Sequence, residues 1–111
     1  MLLANLFNST ITEGILLYIF HYDGIHASAI ARYLGKSLTG VLTQLDHFEN
    51  AGLLVSKQVG RSRVFSFNKK SPVTRPLIEI VEMAYNSIPL EERDRMFPRR
   101  RPRRKGKPVR K

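Results

Sequence analysis

The sequence predicts a mainly α domain with a small β-hairpin, in the α+β class, and a further helix after the hairpin. Three observations predict it. Two short helical patterns, beginning near Ser28 and at Leu38, are separated only by Gly35-Lys36-Ser37. Gly52 stops the second, and a Gly60-Arg61-Ser62 turn joins an apolar run to an alternating one. Apolar residues then recur at helical spacing from Leu77 to Ile88.

The elements follow in chain order. Met1–Phe7 is an apolar lead-in, read as a short helix or a strip that packs on another element. Asn8 and Ser9 are good N-caps, and Glu13 suits the positive end of a helix dipole. Ile11, Ile15, Leu16, Ile19 and Phe20 recur at helical spacing, and Leu17 and Tyr18 widen the stripe. That pattern predicts a mostly buried helix from Thr10 to Tyr22. Gly14 inside it costs about 1 kcal/mol relative to Ala and is expected where another helix crosses closely. Asp23-Gly24 ends it, and Ile25-His26 is read as a very short strand.

His26 or Ser28 opens the next helix, with Ile30, Ala31 and Leu34 inward and Gly35 as its left-handed stop. Ser37 caps the third helix. Leu38, Val41, Leu42, Leu45 and Phe48 make its apolar face, and Thr39, Gly40, Thr43, Gln44, Asp46, His47 and Asn50 make the other. Leu53–Val59 and Arg63–Phe67 are the hairpin strands, with Gly60 supplying the positive φ of the turn. Ser71-Pro72 is read as the start of a fourth helix, with Leu77, Ile80, Val81, Ala84, Tyr85 and Ile88 as its stripe. Pro89 ends it, and Leu90–Phe97 adds one or two helical turns. Helix, turn, helix, hairpin is the order of a winged helix-turn-helix, here with an added C-terminal helix.

Composition limits the function classes. The 111 residues, 42% of them apolar, fit one domain with one modest core. No apolar run reaches the roughly 18 residues of a membrane span, and the lead-in lacks the basic start of a signal peptide. With no cysteine there are no disulfides, thiolate metal sites or cysteine nucleophiles, and the expected compartment is the cytoplasm. The net charge of +10 is unevenly placed. Arg99, Arg100, Arg101, Arg103, Arg104, Lys105, Lys107, Arg110 and Lys111 are nine of the 19 basic residues. The other ten, set against all nine acids, leave the first 98 residues at +1. The expected organisation is therefore a nearly neutral folded body, residues 1–97, and a disordered basic tail, residues 98–111.

Three segments carry a resemblance. They are Ile30-Ala31-Arg32-Tyr33-Leu34-Gly35, the run Val41-x-x-x-Leu45-x-x-Phe48-Glu49-x-Ala51-Gly52-Leu53-Leu54, and Gly60-Arg61-x-Arg63-Val64-Phe65. Together they resemble the winged-helix transcriptional regulators of the ArsR/MarR type over roughly Leu6 to Asn68. The resemblance implies that the third helix enters the major groove, with Leu38, Thr39, Gly40, Thr43 and Gln44 at the bases. Gln44 would pair with adenine, and the two threonines would meet a thymine methyl or a phosphate. Lys36 and Ser37 at the helix N-terminus, and Lys57, Arg61 and Arg63 on the wing, would hold phosphate. The sequence departs from the pattern in two ways. The third helix has no Lys or Arg but carries Asp46 and Glu49, and the metal-sensing cysteines of ArsR proteins are absent.

The expected function is sequence-specific double-stranded DNA binding by a homodimeric transcriptional regulator of prokaryotic type. The alternative is a winged-helix protein-interaction module or a non-specific DNA-binding accessory protein. Leu77, Ile80, Val81, Ala84 and Tyr85 are the expected dimerisation stripe. The tail residues Arg99, Arg100, Arg101, Arg103, Arg104, Lys105 and Lys107 are expected to add non-specific affinity. Arg104-Lys105-Gly106-Lys107-Pro108 loosely resembles an AT-hook core, set against a plain polycation that grips phosphate. His21, His26 and His47 are too scattered for a metal site, and no catalytic constellation is present. Neither an enzyme, a cofactor nor a membrane partner is expected.

Overall fold

The computed structural model describes residues 10–98. The Met1–Phe7 lead-in and the tail from Arg99 onward lie outside the described residues. The elements are α1 (Thr10–Tyr22), β1 (Ile25–His26), α2 (Ala27–Leu34), α3 (Leu38–Asn50), β2 (Leu54–Val59), β3 (Ser62–Phe67), α4 (Thr74–Asn86) and α5 (Leu90–Met96).

Helix α1 is the axis of the core, and every residue from Thr12 to Ile19 is buried. Gly14 is the point at which α2 crosses it. A Cβ built there would lie 2.4 Å from Leu34 Cδ2. Gly35, at φ +67°, then ends α2, and its N–H and that of Lys36 close onto Arg32 and Ala31 carbonyls. Only two residues later Ser37 caps α3, its Oγ accepting from the Gly40 N–H at 3.1 Å. These two local devices set the turn between α2 and α3. Val41 and Leu45 are fully buried behind α3 and hold it to the core.

The three strands form an antiparallel sheet in the order β1-β3-β2. Ile25 pairs with Phe65 on one side, and Ser56 pairs with Phe65 on the other. Cross-strand partners share a face. Leu54, Ser56 and Gln58 therefore lie on one face with Phe67, Phe65 and Arg63, and Lys57 lies on the other with Val64. The first face is apolar at its base, where Leu54, Phe65 and Phe67 are buried, and polar toward the Gly60 turn.

Helix α4 starts at Thr74, later than the Ser71-Pro72 start expected from the sequence. Ser71 instead closes a turn, accepting the Thr74 N–H on its carbonyl and the Val73 N–H on its Oγ. Pro72 sits in that turn, and Pro76 takes the first helical turn, where no N–H is needed. Val81 and Ala84 are buried in the chain's own core. Tyr85 is half-buried, with its ring against Phe20 and Phe97. Of the expected dimerisation stripe, Leu77 is half-buried and Ile80 is 39% exposed. The outer apolar residues of this region are Val73, Ile80, Met83 and Leu90.

Helix α5 folds back on α1. The Tyr18 hydroxyl donates to the Met96 carbonyl at 2.7 Å, and the Tyr22 hydroxyl donates to the Pro98 carbonyl. Phe97 is buried against Tyr18 and stacked on His21. Such aromatic pairs add about 0.5–1.5 kcal/mol each beyond their buried area.

Candidate nucleic-acid interface

The α-helical repeat of about 3.6 residues divides α3 into a buried back and an exposed front. Val41 and Leu45 form the back, and Thr39, Thr43, Asp46, His47 and Asn50 form the front. Among the described residues nothing covers this polar front. Thr43 donates its hydroxyl to the Thr39 carbonyl at 2.9 Å, which leaves its oxygen as an acceptor at the surface. Gly40 and Gln44 sit on one flank and are half-buried. The Gln44 side-chain oxygen faces Thr12 of α1, with Thr12 Oγ1 at 3.5 Å. Leu38, 46% exposed, and Leu42 sit on the other flank, toward the hairpin.

Between that flank and the hairpin lies an open cleft of about 360 Å³. Leu38 and Leu42 line it from α3, Ser28 from the start of α2, and Gln58, Arg61 and Arg63 from the hairpin. The structure thus brings Arg61 and Arg63 to the same side of the fold as the start of α3. Lys57 is exposed but lies on the opposite face of the hairpin from Arg63. Lys36 and Ser37 are exposed at the N-terminus of α3, and Ser37 is already engaged as its cap.

Arg63 is engaged as well. Its Nη2 lies 2.7 Å from Glu49 Oε1 and 3.9 Å from Asp46 Oδ1, and donates to Ser56 Oγ at 3.2 Å. Its guanidinium sits 4.8 Å from the centre of the Phe65 ring. Glu49 is half-buried and also accepts the Ser56 hydroxyl at 2.7 Å. Arg61 forms no ion pair among the described residues. Ser28, Gln58, His47 and Asn50 join the exposed surface without having been assigned a DNA-binding role from the sequence. His47 and Asn50 were legible there as members of the polar face of α3; Ser28 and Gln58 reach the cleft only through tertiary packing.

Among the described residues no three His, Asp or Glu side chains are placed to hold a metal ion. No helix among them is long and apolar enough to cross a membrane.

No protein-family profile matches this sequence, and no curated protein sequence matches it. Solved structures do. A MarR-family transcriptional regulator from Rhodococcus sp. RHA1 superposes with a TM-score of 0.61 at 15% identity, over 87% of this chain and 80% of that one. The YusO protein from Bacillus subtilis superposes with a TM-score of 0.55 at 14% identity, over 76% of this chain. The match spans 65% of the YusO chain. At these identities the likeness is one of architecture. The chain is a winged helix-turn-helix protein, with the fold of a MarR-family transcriptional regulator.

Proposed function

We propose that the protein binds double-stranded DNA in a sequence-dependent way and regulates transcription as a homodimer. The observation that carries this reading is the exposed front of α3. It presents Thr39 and Thr43 to solvent, beside a cleft that Arg61 lines. A helix of this kind fits the major groove, where threonines meet thymine methyls or phosphates. Leu38 and Gly40 approach the bases at its start, and Gln44 reads adenine after turning from Thr12. Lys36, Ser37, Lys57 and Arg61 take phosphates, and the basic tail adds affinity without sequence preference. The fold shared with a transcriptional regulator supports the same reading.

A second reading, a protein-interaction module, draws on Asp46 and Glu49, which set negative charge on the same helix. Selection from a random duplex pool separates the two, using the full chain and a chain lacking Pro98–Lys111. The DNA reading expects an enriched motif from both proteins, as two half-sites about one helical turn apart. Removing the tail should flatten the dependence of log affinity on log salt. No enrichment with either protein would overturn sequence-specific binding.

A further inference from the structure

The hairpin holds two arginines near α3, and they are in different electrostatic states. Arg61, at the turn, has no acid partner among the described residues. Arg63, two residues on, is ion-paired, although its side chain is 43% exposed. Glu49 Oε1 and Ser56 Oγ take its Nη2, and Asp46 lies 3.9 Å away. The buried Phe65 ring forms the floor at 4.8 Å. Ser56 closes the triangle by donating to the second oxygen of Glu49 at 2.7 Å. Both acids come from the C-terminal half of α3, so this network ties the hairpin to the helix that the proposed function sets in the groove.

We propose that Glu49 is a positioning residue that holds Arg63 against α3, so that Arg63 sets the wing and does not itself bind phosphate. This rests on the DNA-binding reading and revises one residue of it. To reach a phosphate, Arg63 would have to break an ion pair and a hydroxyl bond and leave its ring floor. It would also leave two carboxylates bare beside the polyanion. The pair thereby restrains non-specific affinity, because a neutralised arginine releases no counterion on binding. Phosphate contact on the wing then falls to Arg61 and Lys57, neither of which has an acid partner among the described residues.

The test is a salt titration of non-specific duplex binding with the full chain. Glu49→Gln keeps an acceptor for Arg63 and a group able to bond Ser56, but removes the nearer of the two carboxylate charges that face the arginine. The slope of log affinity against log salt is expected to steepen by about 0.9, so the loss of affinity between ~50 and ~200 mM salt grows roughly threefold. Arg63→Gln alone is expected to leave the slope unchanged, and the double variant is expected to return it to the wild-type value. An unchanged slope in Glu49→Gln overturns the proposal, as does a shallower one in Arg63→Gln. A steep slope that persists in the double variant overturns it too, since the gain would then owe nothing to Arg63. Absence of any duplex binding by the wild-type chain would instead sink the DNA reading, and this inference with it.

Discussion

Gly14 lies directly beneath Leu34. A methyl group at Gly14 would sit 2.4 Å from Leu34 Cδ2 and 3.2 Å from its Cδ1. Helix propensity alone favours Ala there by about 1 kcal/mol. Overpacking opposes it by about 1–3 kcal/mol, because Leu34 must move. Gly14→Ala is expected to destabilise the fold by about 1 kcal/mol in urea unfolding. In a Leu34→Ala background the same change should become neutral or stabilising. Additive effects of the two substitutions would show that the helices do not meet here.

Ser37 separates two roles that sequence reading assigns to one residue. Its Oγ caps α3 through the Gly40 N–H. Ser37→Ala should lower stability by about 1 kcal/mol. Ser37→Asp keeps an N-cap acceptor and should retain that stability. If Ser37 also faces phosphate, the added carboxylate should weaken duplex binding while the thermal melt stays unchanged. Unchanged duplex binding in the aspartate variant would assign Ser37 to capping alone.

His21 predicts an acid-side loss of stability. Its imidazole is held below the ordinary value of 6.5, first by partial burial and second by the nearby Arg93 charge. The Tyr85 hydroxyl bonds its Nδ1 at 2.8 Å, and Phe97 stacks on its ring. Because the folded state binds the proton less readily than the unfolded state, stability is fully present above pH 6.5 and declines as pH falls through the lowered value. Melting temperature should fall from neutral to mildly acid pH more steeply in the wild type than in His21→Gln. Parallel pH profiles would remove His21 as the cause.

The outer edge of α4 is where the proposed homodimer is expected to pair. Val81 and Ala84 are buried within one chain, so they are unavailable to a partner. Ile80, 39% exposed, and Met83, 67% exposed, lie outside that core. Replacing both with Asp should yield a folded monomer by sedimentation and circular dichroism. Val81→Asp should instead unfold the chain, because it buries an unpaired charge. A double variant that still sediments as a dimer would move the interface elsewhere.

Local chemistry was legible in the sequence. Gly35 and Gly60 mark left-handed positions, Ser37 marks a cap, and the spacing of Val41 and Leu45 marks the inward face of α3. Each depends on a few neighbouring residues and on the helical repeat, so one strand of text contains it. The close approach at Gly14 was also readable, since a glycine inside an apolar helix calls for a neighbour; its identity, Leu34, was not.

Tertiary structure decided the rest. Periodicity shows that Ile80, Val81 and Ala84 share a broad stripe but not how much of it the chain covers itself. The strand register put Lys57 and Arg63 on opposite faces of the hairpin. The turn of Gln44 toward Thr12 and the pairing of Arg63 with Glu49 join residues 32 and 14 positions apart. Charge and hydrogen-bonding groups act through distances of a few ångströms, and a linear order fixes those distances only between near neighbours. The sequence determined that α3 has a polar front; folding determined which charges stand beside it and which of them are already spent on each other.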